Sequence, residues 1–104
     1  ESDKFMIIVI GSLTVQQEKL EEAIELSQKH VNEARKQPGC VSYALHIDTE
    51  RKNLLVFIER WQHMDDLEKH FQTPSSLDFG KKISELVNST PTIEIYQSEA
   101  MQRH

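Results

Sequence analysis

The apolar spacing of this chain changes period at Pro38-Gly39, and that change narrows the folds open to it. Before it, Leu20, Ala23, Ile24, Val31 and Ala34 recur at helical spacing, with Ser27 on the same stripe. Glu18, Glu21 and Glu22 lie early and Arg35 and Lys36 late, as a helix dipole favours, so the pattern predicts a helix from about Gln16 to Lys36. After the break the residues alternate. Val41, Tyr43, Leu45 and Ile47 share one face of a strand over Cys40 to Asp48, and Ser42, Ala44 and His46 share the other. Pro-Gly ends the helix and starts the strand.

The flanking segments extend this to a full architecture. Phe5-Met-Ile-Ile-Val-Ile10 is a β-branched run that continues to about Leu13, and Thr14 to Gln17 has the spacing of a capping box. The polar turn Asp48–Asn53 joins the second strand to a third, Leu54 to Trp61, as an antiparallel hairpin. A short helix is expected over Met64 to Gln72. Pro74-Ser75-Ser76 then caps another from Leu77 to Val87, with Leu77, Phe79, Ile83, Leu86 and Val87 inward. A last strand covers Thr92 to Gln97, with Ile93 and Ile95 on one face. The order is βαββαβ, the α+β ferredoxin-like pattern with an antiparallel sheet. One domain over residues 1–104 is expected, with a core of about 5–97 and a polar tail at 98–104.

The third strand, Leu54-Leu-Val-Phe-Ile58, is apolar on both faces, and so is the first. Such strands want cover on both sides. Helices in a βαββαβ unit cover only one side, so a second copy packed across a two-fold axis is expected to cover the other.

Composition bounds the function classes. Twelve Lys+Arg against 17 Asp+Glu give a net charge of −5, which argues against a nucleic-acid module. No apolar run approaches the ~20 residues of a membrane span. The opening Glu1-Ser-Asp-Lys4 has no signal-peptide character and no initiator Met, as in a processed or trimmed start. The single Cys40 has no internal disulfide partner and fits a reducing compartment, so a cytoplasmic location is expected. The glycines are only Gly11, Gly39 and Gly80, so no nucleotide, flavin or nicotinamide fingerprint occurs, and no bound cofactor is expected. His46 and Asp48 lie two apart on one strand face, but two ligands do not make a metal site.

Three short motifs carry a resemblance. Pro38-Gly-Cys-Val-Ser-Tyr43 opens strand two, Glu59-Arg-Trp61 closes strand three, and His70-Phe-Gln-Thr-Pro74 is followed by Phe79. In this order and spacing the chain resembles the antibiotic biosynthesis monooxygenase domain family over roughly Met6 to Tyr96. That resemblance implies a dimeric α+β barrel with a pocket between sheet and helices in each subunit. It also implies a cofactor-independent monooxygenase that oxidises a small phenolic or quinol-type substrate with dioxygen. Other members isomerise a small oxygenated metabolite or degrade haem, and a non-catalytic binding barrel is a further alternative. The haem-degrading branch is disfavoured. Strand one is aliphatic from Met6 to Ile10 where that branch has an Asn. His70-Phe71 stands where it has a Trp, and Lys81-Lys82 where a histidine would hold iron.

Within that reading the catalytic candidates are His70, Trp61 and Tyr43. His70 could take the proton of a phenol. Its structural alternative is a ring hydrogen-bonded to backbone near the Thr73-Pro74 turn. Trp61 could stack on a flat substrate or plug the core. Tyr43 could orient a ligand through its hydroxyl. Phe57, Phe71 and Phe79 are candidates for an apolar pocket wall, and Glu59 for its polar part. Glu59 shares a face with Trp61 while Arg60 points to the opposite one, so a salt bridge elsewhere across the sheet or the dimer is the alternative for Glu59. His63 is expected to face solvent at the turn into the short helix.

Overall fold

A computed structural model describes residues 5–102, so Glu1–Lys4 and His104 of the sequence reading lie outside the described residues. The strands are β1 (Phe5–Thr14), β2 (Cys40–Ile47), β3 (Leu54–Trp61) and β4 (Thr92–Glu99). The helices are α1 (Leu20–Ala34), α2 (Met64–Gln72) and α3 (Pro74–Ile83). The sheet is antiparallel throughout, in the order β2-β3-β1-β4. This is the α+β ferredoxin-like architecture, and the two strands apolar on both faces are its two central ones.

Register explains the two faces. Ile7, Val9, Gly11 and Leu13 of β1 stand opposite Trp61, Glu59, Phe57 and Leu55 of β3. All eight are buried beneath the helices. The alternate residues, Ile8, Ile10, Val56 and Ile58, line the outer face, where Ile10 is 36% exposed. α1 packs on β2 and α2 on β3, so the helices crowd one half of the sheet. In that half Leu55, Trp61 and Leu67 are fully buried, each stabilising the fold by about 1.5–3 kcal/mol or more. Among the described residues no helix is long and apolar enough to cross a membrane.

Several boundaries differ from expectation for local reasons. Thr14 belongs to β1, so the Thr14–Gln17 capping box does not form. A single 3₁₀ turn at Gln17–Lys19 leads into α1 without a side-chain cap. Val41 does not share the face of Tyr43, because the register shifts between Cys40 and Ser42 and leaves Val41 47% exposed. α3 starts at Pro74 with Thr73 as its N-cap, accepting the Ser76 N–H at 3.1 Å. It ends at Ile83, short of Val87, and Val87 instead pairs with Val15 in an isolated bridge. Leu77 is outward, 63% exposed. Ser98 and Glu99, read as tail, extend β4.

Gly39 carries the one positive φ, +83°, among the described residues. A Cβ there would collide with the Asp66 side chain, so the turn from α1 into β2 requires glycine twice over.

Candidate functional site

β1 and β4 lie beyond the half of the sheet that α1 and α2 cover, and a cavity of about 370 Å³ opens there, within the about 300–1,000 Å³ of small-molecule sites. Its walls are largely apolar. Phe57 rises from β3, Phe71 and Phe79 come from α2 and α3, and Gly11 leaves the floor on β1 without a side chain. Four titratable side chains line it, His30, Tyr43, Glu59 and His70, and among the described residues no Lys or Arg does.

Local structure fixes each of these. Thr73 donates to the His70 carbonyl at 2.9 Å while capping α3, so one residue ends α2 and begins α3 with His70 aimed inward. His70 is 3% exposed. Its Nδ1 meets Gln37 Oε1 at 2.7 Å and Ser76 Oγ at 3.3 Å, so the ring is held by side chains and not by turn backbone. With the Gln37 oxygen facing it, Nδ1 is the donor, which leaves Nε2 a lone pair. That nitrogen lies 3.4 Å from Tyr43 Oη. Tyr43 alternates inward from the β2 register, and the Arg35 guanidinium anchors its carbonyl at 2.9 Å.

Trp61 does not reach the cavity. It is fully buried at the end of β3, 4.8 Å ring to ring from His70, and its indole donates to Glu59 Oε1 at 2.9 Å. Glu59 is buried opposite Val9 and Tyr43. It has no ion pair within this chain among the described residues, and in place of the expected salt bridge it accepts a hydrogen bond from the Trp61 indole. Its place on the helix side also keeps it from the outer face where a second copy was expected.

The sequence reading missed His30. This residue sits on α1, 7% exposed, with Nε2 3.0 Å from Tyr43 Oη and its ring stacked on Phe79 at 4.2 Å and 9°. Its signal was present: it falls three residues after Ser27 and seven after Ala23, on the buried stripe of the helix.

Burial sets the protonation states. It pushes His30 down to about 4, and together with the neighbouring His30 it pushes His70 to about 4, so both rings are neutral near pH 7. Burial, then the Glu59 charge, raises Tyr43 far above the usual phenol range. Burial raises Glu59 despite the hydrogen bond from Trp61, and then the nearby Tyr43 hydroxyl, which favour its anion. Cys40 is raised too, by burial and then by Glu59, which keeps it a thiol. Asp48 accepts the N–H groups of Glu50 and Arg51 and so serves its turn. His63 is exposed as expected, 3.3 Å from Asp66. Among the described residues no three His, Cys, Asp or Glu gather as metal ligands would.

Comparisons with known proteins agree with this architecture. The family model described as antibiotic biosynthesis monooxygenase matches residues 6–82. The uncharacterised protein sll1783 of Synechocystis is 37% identical over 91 residues. That match covers 88% of this chain but 62% of the relative, so the chain spans less than two thirds of that protein's length. Among solved structures, a conserved protein from Methanosarcina mazei superposes with TM-score 0.87 at 24% identity, over 91% of this chain and 94% of that one. Rv0793 from Mycobacterium tuberculosis gives 0.83 at 20%, over 95% and 97%. At such identities these two speak to the fold.

Proposed function

Because this chain belongs to the antibiotic biosynthesis monooxygenase family, we propose that it oxidises a small phenolic or quinol-type substrate with dioxygen, without a bound cofactor. One observation carries the reading: a largely apolar, aromatic-walled cavity is lined by a phenol, Tyr43, with two neutral imidazoles, His30 and His70, within hydrogen-bond reach of its hydroxyl. In this reading a flat ring lies against the wall that Phe57, Phe71 and Phe79 line, with its hydroxyl toward His70 and Tyr43. Loss of the hydroxyl proton gives an electron-rich anion. The anion donates one electron to dioxygen, and the resulting radical pair closes the carbon–oxygen bond. The protein supplies dryness, orientation and a place for the proton.

Hydrogen-bonding groups within reach of one another favour an enzyme over a passive binder. His70 fixes Tyr43 and faces the substrate hydroxyl. Trp61 acts from behind, by holding Glu59 and packing on His70. The assembly in this reading is a cytoplasmic homodimer, its second copy covering Ile8, Ile10, Val56 and Ile58 on the outer face. Sedimentation at micromolar concentration tests that part, and a lone 12 kDa species would end it.

The activity is tested by oxygen uptake from metal-stripped protein with hydroquinones, naphthols and anthrones, alongside His70→Ala. Uptake that needs the protein and falls in the variant is expected. No uptake with any of them would move the reading to an isomerase or a binder.

A further inference from the structure

Gln37 is not among the residues that line the cavity, yet it holds one that does. It lies in the turn from α1 into β2. There its N–H donates to the Ala34 carbonyl at 3.0 Å, and its own carbonyl accepts the Cys40 N–H at 3.2 Å. With the backbone pinned on both sides, its side-chain Oε1 meets His70 Nδ1 at 2.7 Å. From His70 a row of hydrogen bonds runs on through lining residues. His70 Nε2 lies 3.4 Å from Tyr43 Oη, and Tyr43 Oη lies 3.0 Å from His30 Nε2.

Counting hydrogens gives this row one direction. An amide oxygen only accepts, so His70 carries its hydrogen on Nδ1 and keeps a lone pair on Nε2. Both rings are neutral near pH 7, so each imidazole has one hydrogen to place. Facing the His70 lone pair, Tyr43 donates its hydroxyl hydrogen, and its oxygen accepts from His30 Nε2–H. His30 Nδ1 is then left bare. The far end of the row agrees, because that atom is buried with no hydrogen-bond partner among the described residues. Run the other way, the row would leave it an N–H without an acceptor, and buried N–H groups are orphaned more rarely than acceptors. Ser76 Oγ, 3.3 Å from His70 Nδ1, can donate or accept, so it follows the amide and does not oppose it.

We propose that Gln37 is a positioning residue that makes the site select ligands bringing a hydroxyl hydrogen. By fixing the Nδ1–H tautomer of His70 it turns the whole row one way. The hydrogens on His70 Nδ1, Tyr43 Oη and His30 Nε2 are then all given to protein acceptors. What the row has left is lone pairs, the second one on the Tyr43 oxygen and the one on His70 Nε2, which only the longest contact of the row occupies. A phenol or quinol brings the hydrogen these lone pairs lack. An ether or a quinone carbonyl brings another acceptor and finds no free hydrogen in the row. Turning His70 over would put a donor at Nε2 and weaken that choice. The selection rests on the cavity being a phenol site, as proposed above. The direction of the row does not.

Long-range nitrogen–proton NMR correlation spectra of the isotope-labelled whole chain, without ligand and near neutral pH, read both tautomers. Opposite forms are expected in the two rings, Nδ1–H in His70 and Nε2–H in His30, and this readout needs no variant to fold. His70 found as Nε2–H would overturn the proposal. Gln37→Leu should move His70 to Nε2–H, with Ser76 donating to Nδ1, while Gln37→Glu, which keeps an oxygen in place, should retain Nδ1–H. A His70 tautomer unchanged in Gln37→Leu would also overturn it. Ligand choice is read by calorimetry with 2-naphthol and its methyl ether. The wild type should prefer the naphthol at least about tenfold, and Gln37→Leu should lose most of that preference. The extra methyl of the ether is the same for both proteins, so the change in the ratio reads the hydrogen bond. A ratio unchanged in a variant whose tautomer has turned would overturn the selection and leave the phenol site standing. If neither probe binds the wild type, the phenol site falls and the selection with it, whatever the tautomers.

Discussion

The two halves of the sheet beneath the helices are built on opposite principles. On the β2–β3 side Trp61, Leu55 and Leu67 are fully buried and the space is filled. On the β1–β4 side glycine stands at Gly11 on the floor and Gly80 on the roof, and Ile93 is 56% exposed at the edge. Side chains are missing where the chain could have carried them, and the room they leave is the cavity. The four titratable groups stand on the border, lining the cavity while Trp61 and Gln37 hold Glu59 and His70 from outside it. Dense packing on one side holds such groups in place without solvent, which is what shifts their ionisation.

If the packed half carries the stability, breaking it should cost most. Trp61→Ala should destabilise by about 3–5 kcal/mol, the range for a buried aromatic, read as a shift of the urea midpoint. It also removes the Glu59 hydrogen-bond donor. A loss below about 1 kcal/mol would mean that the two halves do not differ as described.

Acid comes next, because it attacks the border. His30 and His70 are pushed from 6.5 to about 4 by burial, so the unfolded chain takes up protons first as pH falls. Their contribution is intact above pH 6.5 and drains between there and about pH 4, by up to about 3 kcal/mol for each ring. Glu59 works the other way. Its raised carboxyl binds a proton in the folded state first, which restores some stability as pH falls through its folded value toward 4.5. Urea midpoints from pH 7.5 to 4 should therefore fall more steeply in Glu59→Gln than in the wild type. Equal slopes would mean that Glu59 is not held above its ordinary range.

The hollow half should respond in function and hardly in stability. A Cβ on Gly11 would meet Thr92 O at 3.6 Å and Ile93 Cγ1 at 3.7 Å, ordinary contacts, while larger atoms would stand in the cavity. Gly11→Val should leave stability within about 1 kcal/mol and weaken binding of an aromatic probe at least about tenfold. Equal affinity in calorimetry would place the binding region elsewhere.

The packed half was legible in sequence and the border only in part. The double-sided apolar runs of β1 and β3 mark the centre of the sheet, because only central strands are apolar on both faces here. Tyr43, Phe57, Glu59, His70, Phe71 and Phe79 do meet at one cavity, since strand alternation and the α2 stripe place them on one side. His30 lies on the same helical stripe, three residues after Ser27, but an imidazole does not register in an apolar pattern. The Val41 bulge could not be read, because a register shift belongs to the pairing of two strands and leaves no mark in one. Trp61 at a strand end reads equally as wall or plug, and only the position of α2 decides it.

The smallest effect sharpens the comparison most. Gly80 lies inside α3, and nothing lies within 4 Å of where its Cβ would be. A glycine in a helix interior costs about 0.8–1 kcal/mol relative to alanine, and here no packing requires it. Gly80→Ala should therefore raise stability by about 0.5–1 kcal/mol, visible as a higher Tm. The added methyl also enters the lining of the cavity, so it should lower affinity for a bulky ring such as an anthrone more than for 4-nitrophenol. A higher Tm with unchanged affinity for both would leave Gly80 as uncorrected instability. A higher Tm with selective loss of the larger ring would show the chain trading stability for room.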